Sequence, residues 1–169
     1  PPPIINPETF ESASREWRLF INPQQRHGAG PAGYRMSKDG EVVWEKELPF
    51  TLLDPFVAPD GAVGGYAYSH GVQGWTGKNK EAKNEVVVAI LDADGSIRLE
   101  ERLERKQTPY PASIPEPWFN GKVVDVEDDV LLVRMGWMHE KKGEEWLVYT
   151  WSSGEKRKSF QPNLGADDE

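Results

Sequence analysis

The stretch Leu91–Leu103, LDADGSIRLEERL, decides the fold reading, because the chain writes nearly the same phrase earlier as MSKDGEVVWEKEL at Met36–Leu48. Each copy has an apolar run, an Asp-Gly pair, and a second run in which apolar and charged residues alternate. Asp-Gly between such runs signals a hairpin, since the tight turn needs positive φ. Aligned on Gly40 and Gly95, the residue four before is Met36 or Leu91. The residues two, four and eight after are Val42 or Ile97, Trp44 or Leu99, and Leu48 or Leu103. Even offsets predict one apolar strand face, with most of the Glu, Arg and Lys on the other.

A helix competes for IRLEERLERK, residues 97–106, because Leu99 and Leu103 are four apart among good helix formers. Its sister segment EVVWEKELP, residues 41–49, has a β-branched pair, a Trp and a closing Pro, which suit a strand. Both segments are read as strands.

Working outward, EWRLFI (16–21) reads as a strand, followed by the loop NPQQRHGAGPAG (22–33). DPFVAPDGAVGGYAYS (54–69) is a hairpin turning at Asp60-Gly61. GKVVDVEDDVLLVRMGW (121–137) is two strands meeting around 127–129, and EEWLVYTWSSGEKRKSF (144–160) is a hairpin turning at Ser153-Gly154. Residues 1–14 are expected to form an extended N-terminal arm. Residues 15–161 are expected to form a single β domain of repeated hairpins in three groups, 15–48, 54–106 and 118–161. Residues 162–169 read as a flexible acidic tail. On this reading the first group supplies three strands and each of the others four.

Two hairpins are the content of one four-stranded antiparallel sheet, which cannot bury both faces alone and must stack on neighbours. ILDADGSIRLEERL resembles the PQQ-like and WD40-like β-propeller repeat, an apolar strand, an Asp, a Gly turn and a strand with Trp; MSKDGEVVWEKEL keeps that Trp at Trp44, and FVAPDGAVGGYAY is similar to a propeller's opening hairpin. The resemblance implies an all-β fold of antiparallel, propeller-like blades, a partial propeller. It implies nothing catalytic, since none of the cofactor or metal residues of the quinone-dependent members is matched. A β-sandwich or barrel is the alternative for a chain of this length.

Composition sets outer bounds. Sixteen Gly, fourteen Pro and seven Trp in 169 residues suit short punctuated strands over helices. A net charge of −8 argues against a nucleic-acid face, which needs clustered Lys and Arg. The one basic run, EKRKS at 155–159, reads as a solvated strand or turn. With no Cys, disulfides and thiolate-ligated metals are excluded. The longest apolar run, VVVAIL at 86–91, falls far short of the ~20 residues of a spanning helix. The chain starts PPPII, as an exported precursor trimmed of its leader would, and as an engineered domain would too; the location is left open, with a periplasmic or extracellular one favoured.

Three His, His27, His70 and His139, each follow a strand and precede a Gly-bearing connection. Blade stacking would bring them to one rim, where imidazoles hold divalent metals. Trp75, Tyr110, Trp118 and Trp137 lie in or beside long Gly/Pro-rich connections, where flat rings would either stack on sugars or grip a peptide, or plug the gaps between sheets. No Gly-x-Ser-x-Gly, His-Glu-x-x-His or phosphate-cradling loop is present. Ser69 and His70, neighbours in sequence, are expected to face opposite ways as strand residues do.

These observations predict a non-enzymatic interaction or scaffold protein, without catalytic residues or cofactor. It would bind a protein or glycan partner through its loops, or form part of an oligomer or larger assembly. The alternative is a metal-dependent enzyme or metal-binding domain using the His-bearing loops.

Overall fold

The computed structural model describes residues 4–72, 84–105, 123–136 and 144–158. Among these residues the chain is all-β, with eleven strands in three antiparallel sheets and no helix. Sheet one runs in sequence order through β1 (Glu8–Glu11), β2 (Trp17–Pro23), β3 (Ala32–Lys38) and β4 (Glu41–Leu48). Sheet two does the same with β5 (Leu53–Val57), β6 (Val63–Tyr68), β7 (Asn84–Leu91) and β8 (Ile97–Arg105). Sheet three holds β9 (Val124–Glu127), β10 (Val130–Gly136) and β11 (Glu144–Thr150). Among the described residues no sheet closes into a barrel.

The tight turns have the chemistry expected of them. Asp39 (φ 50°) and Gly40 (φ 84°) both adopt positive φ between β3 and β4, the geometry whose twist matches the flanking strands. Asp128 and Asp129, at φ 51° and 60°, do the same between β9 and β10. Leu99 and Leu103 lie on a strand, because β8 pairs with β7 from Asn84↔Arg105 to Leu91↔Ile97.

Two segments differ from the sequence reading. Residues 8–11, assigned to the arm, form β1 and pair with β2 from Glu8↔Ile21 to Glu11↔Arg18. Their only inward apolar side chain is Phe10, too little for a periodic signal. Beyond Gly154, among the described residues, the expected strand reduces to one bridge, Tyr149↔Lys156, where apolar alternation gives way to charge. Sheet one therefore has the fourth strand, and sheet three has three among the described residues.

The repeated phrase is a structural repeat, with one correction. Both copies carry a β-bulge three residues past the glycine. Met36 pairs with Trp44 and Ser37 with Val42, leaving Val43 extra; Ile90 pairs with Leu99 and Leu91 with Ile97, leaving Arg98 extra. A bulge reverses which face follows. Hence Trp44 is buried while Val42 and Ile97 are 55% and 44% exposed, against the even-offset expectation. The segment enclosed by Leu91↔Ile97 is also one residue longer than that enclosed by Ser37↔Val42. The structural counterpart of Met36 is thus Ile90, and Leu91 points to the other side of its sheet.

Sheet two lies between the other two. Val57, Val63, Ala67, Val87, Ala89 and Leu91 pack with the inner face of sheet one, on Leu19, Ile21, Tyr34, Met36 and Trp44. Tyr66, Tyr68, Val86, Val88 and Ile90 pack with Val124, Leu131, Val133, Leu147 and Tyr149 of sheet three. Residues 86–91 are consequently buried in unbroken succession, which explains why VVVAIL does not alternate. At about 1.5–3 kcal/mol for each large aliphatic side chain withdrawn from water, these two layers are the main stabilising feature.

A tryptophan on a glycine closes each interface. Trp17 lies across Gly61, and its indole N–H donates to the Pro59 carbonyl at 3.1 Å. Trp151 lies over Gly64 and meets Phe56 edge-on, with ring centroids 5.8 Å apart. Arg98, the bulge residue, donates to the Trp151 carbonyl at 2.8 Å and to Asp92 at 2.7 Å, tying sheets two and three at their margin. The first strands follow one another through the stack, β1 adjoining β5 and β5 adjoining β9.

Candidate functional site

The connection between the second and third strands of sheet one meets the start of the matching connection of sheet two, residues 69–72. In sheet one this is the loop 24–31. Its backbone is held from three sides: Ile5 N–H donates to the Arg26 carbonyl at 2.9 Å, Thr51 Oγ1 to the Gly30 carbonyl at 3.0 Å, and Val72 N–H to the His27 carbonyl at 2.9 Å. The last of these comes from the matching connection of sheet two. Gly71 sits so tightly under this loop that an added Cβ would lie 2.5 Å from the His27 oxygen. Val72 is buried in the core between sheets two and three, and Ile5 packs against it.

Residues His27 and His70 thus stand on loops that are seated against each other, His27 half-buried and His70 exposed. His139, Trp75, Tyr110, Trp118 and Trp137 lie outside the described residues. Among the described residues, no three His, Asp or Glu side chains converge as a metal site.

The geometry corrects the expectation for Ser69 and His70. The strand ends at Tyr68, and residues 69–72 turn. Ser69 Oγ and His70 Nδ1 approach to 3.0 Å instead of facing apart. The same oxygen accepts the Glu85 N–H at 2.8 Å, and Ser69 N–H donates to the Glu85 carbonyl at 2.9 Å. Ser69 thereby joins the start of β7 to the end of β6, and its hydrogen bond to His70 orients the imidazole at the turn.

A second feature adjoins the loop end and was not singled out from the sequence. The outward face of sheet one carries the cross-strand row Phe20–Arg35–Glu45 and, next to it, Asn22–Gly33–Glu47. The absence of a side chain at Gly33 leaves a hollow of about 380 Å³ lined by Phe20, Asn22, Tyr34, Arg35, Glu45, Lys46 and Glu47. Gln24, from the loop, donates to Glu47 at 2.7 Å, and the Arg35 guanidinium lies 4.9 Å from the Phe20 ring centroid. The signal available in the sequence was a glycine interrupting the polar positions of an alternating strand.

The fold and these sites define a stacked, antiparallel all-β protein with seated loops at one end and a polar hollow on the terminal sheet. No protein-family model matches the chain, and no curated protein matches it in sequence.

Proposed function

We propose that the chain is a non-enzymatic interaction protein whose three sheets act as propeller-like blades, binding a protein or glycan partner through the loop end of the stack. The observation that carries this reading is the hydrogen bond from Val72 N–H to the His27 carbonyl, with Gly71 pressed beneath it. It joins equivalent connections of successive sheets into one preorganised surface, and preorganisation lowers the ordering cost of binding. Three blades are fewer than the roughly four to eight of a closed propeller, so a larger assembly belongs to the same reading.

The test compares the wild-type chain with Gly71→Ala in affinity capture, followed by direct binding of the purified captured protein or glycan. A loss of about tenfold or more in affinity in the variant is expected, since the loops can no longer seat. Turnover of a substrate that depends on Ser69 or His70 would overturn the reading, as would equal affinity of both chains.

A further inference from the structure

We infer that the hollow at Gly33 is a binding site for a neutral saccharide unit. The inference rests on the interaction-protein reading and narrows its partner to a glycan whose sugar sits beside the loop end. The mixed charge of the lining disfavours a ligand of one sign. An anion would meet Glu45 and Glu47, and a cation would meet Arg35, while the Lys46 ammonium is engaged by the Gly95 carbonyl at 2.8 Å. A neutral polyol avoids both repulsions. Its hydroxyls donate to the two carboxylates, accept from the guanidinium, and do both with the Asn22 amide. The ring of Phe20, which carries the Arg35 guanidinium 4.9 Å from its centroid, adds an apolar wall to the hollow.

Position and size agree with this assignment. A volume of about 380 Å³ is small for a ligand site but lies within the range of such sites, about 300–1,000 Å³. Cross-strand pairing fixes the lining: Phe20 stands opposite Arg35 and Arg35 opposite Glu45, so three rigid strands hold the donors and acceptors. Glu47 is held by Gln24 at 2.7 Å, which orients one acceptor before any ligand arrives and couples the hollow to loop 24–31.

Gly33 offers a clean test. An added Cβ would have only the Asn22 carbonyl oxygen near it, at 4.0 Å, and the backbone is not in the left-handed region. Gly33→Val therefore suits the strand and fills the hollow. The chain would be titrated with cellobiose, lactose and maltose, and amide and side-chain shifts followed by NMR. Shifts centred on Asn22, Gly33, Arg35, Glu45 and Glu47 are expected for at least one sugar, with affinity reduced about tenfold or more in both Gly33→Val and Asn22→Ala, on the scale of one or two lost hydrogen bonds. Asn22→Ala keeps the test decisive if the valine variant misfolds. Absence of shifts for all three sugars at tens of millimolar overturns the inference, and so does displacement of the response to acetate or to a lysine peptide. Sugar binding that maps to the loops and survives both variants overturns the hollow while leaving the proposed function intact.

Discussion

Trp17 covers Gly61 so closely that a Cβ at Gly61 would come within 2.7 Å of the indole, and Gly61 holds φ at +91°. Gly61→Ala must therefore both strain the backbone and push Trp17 off the interface between sheets one and two. The expected loss is roughly 2–4 kcal/mol, combining left-handed strain with overpacking. Gly40 provides the control, with φ +84° but nothing within 4 Å of an added Cβ; Gly40→Ala is expected to cost only about 1–2 kcal/mol. Urea unfolding followed by tryptophan fluorescence compares the two, and equal losses would count against the packing role of Trp17.

Tyr34 joins the first sheet to the linker that enters the second. Its buried hydroxyl donates to the Phe50 carbonyl at 2.6 Å and accepts the Leu52 N–H at 2.9 Å. Tyr34→Phe leaves both backbone groups unpaired, and a loss of roughly 2–4 kcal/mol is expected.

The same residue sets an alkaline limit. Burial pushes the Tyr34 phenol well above its ordinary value, and the Leu52 N–H only partly offsets this. A folded value above the unfolded one means the contribution is intact below the unfolded value, about 10, and falls as pH rises beyond it. Stability measured between pH 9 and 11 should decline less steeply in Tyr34→Phe than in the wild type. Identical slopes would contradict the assignment.

At the turn between β7 and β8, Asp94 accepts hydrogen bonds from the Ser96 hydroxyl and backbone N–H, which hold its carboxyl below the ordinary aspartate value; Lys46 assists. A lowered folded value means the turn's contribution is present above the unfolded value and is lost as pH falls through the folded one. An NMR titration should show the Asp94 midpoint rising in Ser96→Ala. An unchanged midpoint would remove the hydroxyl as the main cause.

How much of this was legible in the residues depended on whether the determinant was local. Asp39-Gly40 and Asp94-Gly95 announced their hairpins because turn chemistry is written within four residues. The strand assignment of Leu99 and Leu103 followed from the sister segment, although their own composition also suits a helix. The bulges at Val43 and Arg98 were not legible, since an extra residue in one strand has no composition of its own. Nor were the contacts of Trp17 with Gly61 or Val72 with His27, which join residues distant in sequence. His27 and His70 stand in connections, as the sequence suggested, but the contact between those two connections rests on a backbone hydrogen bond that no side chain encodes. The hollow at Gly33 escaped notice because a polar, outward strand face reads as ordinary solvent surface.

The claim on which the account turns is that sheet two is covered on both faces. Strands β7 and β2 are each hydrogen-bonded on two sides, β7 to β6 and β8, β2 to β1 and β3, yet only β7 has buried side chains on both faces. Native-state hydrogen exchange separates them. Amides of residues 86–90 are predicted to exchange only through global unfolding, more slowly than those of residues 18–21. Exchange of residues 86–90 as fast as that of β2 would contradict the stacked arrangement.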